Sequence, residues 1–129
     1  MGSIFSKIIA GEIPSYKIAE DEKHIAILDA FPMVKGHTLI VPKKETDKIF
    51  ELPAEDYTDL MNFSYKIAQA IEKGVPCLRV GMAVQGLEVP HVHVHLVPLN
   101  TVNDMVFATK IKLTPEEFSE IADKIKSYL

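Results

Sequence analysis

Tryptophan is absent from these 129 residues, and cysteine and arginine occur once each, as Cys77 and Arg79. A lone cysteine excludes an intrachain disulfide and a cysteine-rich zinc site. It suits a reducing compartment, so a cytoplasmic protein is expected. A lone arginine excludes a clamp of several guanidinium groups, and any phosphate site must be built from backbone N–H groups and other side chains. Excess positive charge is lacking too. The formal net charge of −4 argues against nucleic acid or an anionic membrane as partner. No apolar run approaches the length of a membrane span, and no charged start followed by a long apolar stretch marks a secretory signal. Met1-Gly2 with Ser6 matches the short myristoylation pattern, but Ile4 and Phe5 suit packing better than a lipid-bearing arm. With 47% hydrophobic and 25% charged residues, the chain has enough apolar material for one core, and a single domain over 1–129 is expected.

One dense feature stands against these gaps. Residues 91–97 read His-Val-His-Val-His-Leu-Val, holding three of the five histidines at every second position. Side chains of an extended strand alternate between its faces. His91, His93 and His95 therefore share one face, roughly 6.5–7 Å apart in succession at normal strand rise. Val92, Val94 and Leu96 take the other. Imidazoles near neutral pH attack, donate protons and orient neighbours. Ordinary core packing has no use for three of them.

Around this row the pattern predicts an α+β fold with a largely antiparallel sheet. Ser3 is placed to cap a short helix, Ile4 to Ala10, stopped by Gly11 and Pro14. Tyr16 to Ala19 and His24 to Leu28 read as strands around the acidic turn 20–22, and Thr38 to Val41 as a third ending at Pro42. Pro53 opens one long central helix to about Lys73, with Tyr57, Leu60, Ser64, Ile67, Ala68 and Ile71 at helical spacing. Leu78 to Gln85 and His91 to Leu99 read as antiparallel neighbours joined through Gly86 to Pro90. Thr114-Pro115-Glu116-Glu117 has capping-box spacing and opens a C-terminal helix over about 114–127. Asn100 to Lys112 is the least regular segment.

Four readings of the histidine row stand side by side. The first is a structural strand whose imidazoles happen to face solvent, which strict alternation among strong strand formers makes a poor fit. The second is a His-ligated metalloenzyme, with His37 or Glu88 as a further ligand. The third is nucleophilic catalysis at phosphorus: one imidazole attacks and forms a covalent nucleotidyl intermediate, a second protonates the leaving group, and a third fixes the tautomer. The fourth is a module that holds a phosphate without turning it over.

His91-Val-His93-Val-His95-Leu96-Val97 resembles the signature of the histidine triad (HIT) family, in which three histidines alternate with apolar residues. Ile4-Phe5-Ser6-Lys7-Ile8-Ile9 followed by Glu12-Ile13-Pro14 resembles the opening of its nucleotide-binding branch. Asp29, Pro32 and the run Gly36 to Lys43 match that branch's central block. The resemblance covers about residues 3–99 and is specific because several spaced blocks agree. It implies a HIT-like α+β fold, a homodimer in which two sheets join, and no required cofactor. It implies hydrolysis or transfer of nucleoside monophosphate groups, often from purine nucleoside phosphoramidates. Under it, His93 attacks the α-phosphorus and is transiently nucleotidylated. His95 contacts the phosphate and assists departure, and His91 orients His93 with support from His37. Asp29 binds the ribose hydroxyls, and Ile4, Phe5, Ile8, Ile13 and Ile27 line an apolar slot for the base. For Ile8 and Ile13, plain core is an equal alternative. His24 receives no role and is taken as a surface residue.

The chain departs from the family in three places. Ser3 and Ser6 stand where many bacterial members carry cysteines that bind a structural zinc. Hydroxyls are poor zinc ligands beside thiolates, so no structural zinc is expected. The connection before the triad, Gly86 to Pro90, is short, and Leu87 offers no side-chain donor. Gln85 is the candidate substitute for holding phosphate. The tail runs on into a helix, free to cover the leaving-group side or to pack at a dimer. Two rivals to a nucleotidyl hydrolase remain: a non-catalytic nucleotide-binding or protein-interaction module, and a metalloenzyme.

Overall fold

Five strands form one antiparallel sheet in the order β1-β2-β3-β5-β4. The computed structural model describes residues 2–129, so Met1, where the myristoylation pattern begins, lies outside the described residues. The elements run α1 (Ile4–Ile9), β1 (Lys17–Glu20), β2 (His24–Leu28), β3 (Thr38–Pro42), a 3₁₀ turn at Ile49–Glu51, α2 (Ala54–Gly74), β4 (Arg79–Ala83), β5 (Val94–Leu99) and α3 (Pro115–Lys126). The α+β fold and the antiparallel sheet agree with the sequence. No described helix is long and apolar enough to cross a membrane.

The register sorts the side chains into two layers. Ala26 pairs with Ile40 and Ile40 with Val94; one step along, Ile27 pairs with Leu39 and Leu39 with His95. Because strand side chains alternate, these two rows face opposite ways. The first face carries Ala26, Leu28, Ile40, Val92, Val94 and Leu96. It packs against Leu60, Ile67 and Ile71 of α2 and Phe118, Ala122 and Ile125 of α3. Fully burying a side chain such as Ile71 contributes about 1.5–3 kcal/mol, so this layer carries the stability. The second face carries Phe5, Ile25, Ile27, Leu39 and Val41, beside the histidines. One sheet thus has a packed face and a chemical face.

Both long helices are built as their sequences suggest. Thr114 caps α3 through a reciprocal box with Glu117, and Pro115 sits in the first turn. In α2, Gly74 permits close approach to α3, because a Cβ there would lie 3.0 Å from the Cα of Ile125. Tyr57 departs from the expected helix stripe. It is exposed, and the buried face runs through Leu60, Ser64, Ile67, Ala70 and Ile71. At the entrance to β3, Gly36 has φ +91° and its Cα is crowded by Val75 and Pro98. Only glycine suits both the conformation and the space, and His37 follows directly.

Ser64 is a misfit in this core. Its hydroxyl is buried with no hydrogen-bond partner. A buried polar group without a partner costs free energy that an apolar replacement removes. Ser64→Ala is expected to raise stability by about 1 kcal/mol, read as a higher denaturant midpoint at unchanged slope. A lowered midpoint would mean that the hydroxyl has a partner, such as a buried water.

Several boundaries differ from the sequence reading. β1 starts at Lys17 rather than Tyr16, and Tyr16 instead stacks on Phe118 of α3. β4 ends at Ala83, short of Gln85. β5 starts at Val94, because the backbone at His91 and Val92 bonds outside the sheet, to Val89 and Thr46. His24 is not a surface residue. It is 4% exposed, with Nδ1 3.1 Å from both Asp21 carboxylate oxygens and its ring stacked on Phe63. Asp21, in the acidic turn before it, satisfies the buried ring.

Candidate active site

The row alternates as expected even ahead of the strand. Val92, Val94 and Leu96 enter the helix-covered core, and His91, His93 and His95 line the opposite face. The rings of His93 and His95 are 5.0 Å apart, and that of Phe5 lies 4.8 Å from His93. His37 directly precedes β3, two places ahead of Leu39, the register partner of His95, and its ring is 5.1 Å from that of His95. Four imidazoles therefore gather, all nearly buried.

Backbone groups fix which nitrogen of each ring carries the proton. His93 Nδ1 lies 2.7 Å from the carbonyl oxygen of His91. A carbonyl only accepts, so Nδ1–H donates and Nε2 keeps a lone pair. The N–H of Met33 donates to His37 Nδ1 at 3.1 Å, so that ring carries its proton on Nε2. His37 Nε2–H then donates to His95 Nδ1 at 2.9 Å. His95 is thereby left with its proton on Nε2. His91 donates from Nε2 to Pro42 O at 2.7 Å and accepts at Nδ1 from the Ser3 hydroxyl at 2.6 Å. Of the four rings, only His93 has a ring nitrogen with an uncommitted lone pair. His95 presents a donor beside it.

These contacts alter two expected supports. The backbone carbonyl of His91, not its imidazole, holds His93. His37 supports His95 rather than His91.

Burial lowers the proton affinity of three rings. His37 is pushed down to about 3 by desolvation, aided by neighbouring His95 and Lys110. His95 falls to about 4, again chiefly through burial, with His93 and Lys110 adding to it. His93 is lowered chiefly by burial. Asp29, next to His37, is raised by burial. The unfolded chain therefore holds protons on His37 and His95 between about pH 6.5 and 4 that the folded chain does not. Stability rises with pH across that window and is lost as pH falls. Denaturant midpoints are expected to drop from pH 7 to pH 5, and to drop less in His37→Gln. Equal slopes in the two proteins would exclude His37 as a source.

Asp29 joins the cluster. Its Oδ1 accepts from Phe31 N–H at 2.9 Å, and its Oδ2 lies 3.5 Å from His37 Nε2. Asp29, His37 and His95 bring potential metal-ligand atoms within 4.8 Å of one another. A neutral imidazole that binds metal through one nitrogen needs its proton on the other. His37 cannot meet that need through Nε2, since Met33 N–H already donates to Nδ1. In this arrangement His37 presents a proton, not a lone pair, toward Asp29 and His95.

Of the expected base-slot residues, Phe5, Ile8 and Ile27 share one apolar cluster with Ile9, Ile25, Leu39, Val41 and Val89. Ile4 is 48% exposed and lies outside it, and Ile13 is half-buried outside it. Ile4 lies on the exposed side of the six-residue helix, and Ile13 lies beyond its end. Gln85 is exposed beyond the end of β4 and has no hydrogen bond to the histidines. Strand alternation alone points to Ile25 and Val41, which the sequence reading passed over. The tail supplies two more neighbours. Phe107 stands edge-on to His95 at 4.9 Å, and the N–H of Ile111 donates to Pro32 O at 2.9 Å, pinning the segment to the loop before His37. Lys110, between them in sequence, places its charge near Asp29, His37 and His95. Nothing in the irregular run 100–112 announced these contacts.

The family profile described as HIT domain matches residues 10–102. The chain belongs to the HIT family. It is 33% identical over 130 residues to adenosine 5'-monophosphoramidase hnt1 of Schizosaccharomyces pombe, covering 98% of both chains. It is 40% identical over 96 residues to adenosine 5'-monophosphoramidase HNT1 of Saccharomyces cerevisiae, covering 74% of this chain and 61% of that protein. Its structure is similar to that of a Hit-like protein from Bartonella henselae, with a TM-score of 0.88 at 29% identity over 99% of this chain and 96% of that one. The HIT fold thus accounts for the sheet, the long central helix and the place of the triad within them.

Proposed function

We propose that this HIT protein hydrolyses purine nucleoside phosphoramidates, or other conjugates of a nucleoside monophosphate, through a nucleotidyl-His93 intermediate. The observation that carries this reading is the tautomer pattern: His93 alone has a free lone pair, and His95 beside it is held as a neutral donor. Two relatives named as adenosine 5'-monophosphoramidases support the reaction class.

In the first step His93 Nε2 forms a bond to the α-phosphorus and the bond from phosphorus to the leaving group breaks. The His95 Nε2–H stabilises charge on the phosphoryl group and leaving atom. His37 keeps its own proton facing His95 Nδ1, so a second proton on His95 would meet a donor. His95 therefore acts as a hydrogen-bond donor, and an amine leaving group takes its proton from solvent. In the second step water attacks phosphorus, the His93–phosphorus bond breaks, and the surplus proton passes to solvent. His93 returns to its starting tautomer. Asp29 Oδ2 accepts from a ribose hydroxyl, and the cluster of Phe5, Ile25, Ile27, Leu39 and Val41 receives the base.

No structural zinc enters this reading. Ser3 uses its hydroxyl proton on His91 Nδ1, and Ser6 uses its own on Glu45. Two committed hydroxyls do not suit zinc. A homodimer forms along β4, whose outer edge is unpaired and whose Leu78 and Met82 flank are well exposed.

The test is a rapid quench with adenosine 5'-phosphoramidate followed by intact-protein mass spectrometry. A transient gain of one adenylyl group on wild type is expected, mapping to His93. Turnover with no adduct at any quench time would overturn the covalent route.

A further inference from the structure

The segment that carries the His91 carbonyl lies outside the β5 ladder. Its backbone is tied at two points, His91 N–H to Val89 O and Val92 N–H to Thr46 O, both at 2.8 Å. The His91 side chain supplies two more, to Pro42 O and to the Ser3 hydroxyl. The orientation of the His93 ring depends on that carbonyl. What holds His91 therefore aims His93.

Ser3 is tied in turn to an exposed acid. Its hydroxyl accepts from the N–H of Ser6 at 3.0 Å, closing the first turn of α1, while donating to His91. Its backbone N–H donates to Glu45 Oε1 at 2.8 Å, and the Ser6 hydroxyl donates to the same oxygen at 2.7 Å. Glu45 follows β3 by three residues and lies 42 residues from Ser3. One carboxylate oxygen thus gathers the N-cap and first turn of α1. The same helix carries Phe5, whose ring lies against His93. A slipped α1 would move the support of His91 and the wall of His93 together.

We propose that Ser3 and Glu45 are positioning residues for the nucleophile, forming with Ser6 and His91 a clasp that couples the docking of α1 to the orientation of His93. This rests on His93 being the nucleophile. Neither residue touches the reacting atoms. Ser3 acts through His91, and Glu45 acts through Ser3. The functional requirement at position 3 is a hydroxyl that donates one hydrogen bond and accepts another. At position 45 it is an acceptor oxygen, with charge secondary.

The experiment compares Ser3→Ala, Ser3→Thr, Glu45→Ala and Glu45→Gln with wild type, all full length. The readouts are kcat and KM on adenosine 5'-phosphoramidate, thermal midpoint, and imidazole ¹⁵N shifts. A misplacement of about 1 Å costs on the order of 100-fold in rate, so Ser3→Ala and Glu45→Ala are expected to lose about 10- to 100-fold in kcat. Ser3→Thr and Glu45→Gln are expected to retain most of it. In wild type the ¹⁵N shifts should report His93 as one tautomer with Nε2 unprotonated, and in the two alanine variants as a mixture. A loss of thermal midpoint in both alanine variants with kcat and the His93 tautomer unchanged would overturn the proposal. So would Glu45→Gln falling as far as Glu45→Ala. The tautomer readout needs no substrate, so an inactive wild type would refute the hydrolase while leaving the clasp to be judged by its own signal. Should Ser3→Ala fail to fold, the exposed Glu45 variants decide.

Discussion

His93→Ala is expected to turn over adenosine 5'-phosphoramidate at least about 10⁴-fold more slowly than wild type, by analogy with other covalent catalysts stripped of their nucleophile. The size of this loss follows from the neighbours. A nearby imidazole can rescue a missing nucleophile only if it owns a free lone pair. His91 has both nitrogens committed, to Ser3 and Pro42. His37 uses one to accept from Met33 and the other to donate to His95. His95 accepts at Nδ1 and carries its proton on Nε2. None can take over without a tautomer change that breaks a buried hydrogen bond. Binding of adenosine monophosphate should persist, because the apolar cluster and Asp29 are untouched, and the vacated ring leaves room for phosphate. Isothermal titration and single-turnover rates check both halves. A His93→Ala enzyme with rates near wild type would end the covalent mechanism.

His95→Ala is expected to cost on the order of 10²- to 10³-fold in kcat, the range for losing one donor to charge developing in a transition state. The loss should grow with the basicity of the leaving group, because a poorer leaving group carries more charge as the bond breaks. A carboxylate leaving group should suffer least and an alkylamine most. The same geometry predicts the pH dependence. Burial lowers the His93 pKa, so its lone pair persists below the usual imidazole value. His95, held down to about 4, works as the neutral donor over the whole working range. The acid limb of kcat/KM should therefore fall below pH 6.5, with no second limb from His95 above it. Equal losses across a leaving-group series would remove His95 from the leaving atom. A rate that rises as pH drops from 7 to 5 would make it a carrier of an extra proton instead.

The histidine row was legible because a period of two survives any detail of how the strand begins. Its lone pairs were not legible. They depend on Met33 N–H, the His91 carbonyl and Pro42 O, and backbone groups leave no mark in a sequence. The sequence does show which residue types can donate, but not that Glu45 meets Ser3 across 42 positions. The base slot expected from the resemblance takes Ile13 and Ile27 and, from the opening helix, Ile4, Phe5 and Ile8. There Phe5 and Ile8 face the sheet, while Ile4 points away. The richer source was strand alternation, Ile25 with Ile27 and Leu39 with Val41, each pair bracketing a residue that faces the helices. His24 was misplaced for a simpler reason. The lack of a family role says nothing about burial, and Asp21 is the partner that lets the ring be buried.

The wall made by Phe107 stands beyond residue 102, where the match to the HIT domain ends. The cluster is thus built partly from residues that the family profile does not describe. The four imidazoles belong to the matched portion, while Ser3, which donates to His91, precedes it. The ring beside His95 and the charge of Lys110 come from the stretch after it, and Lys110 helps to lower the proton affinity of His37 and His95. Exchanging residues 101–112 is therefore expected to alter the surroundings of His95 and its protonation together.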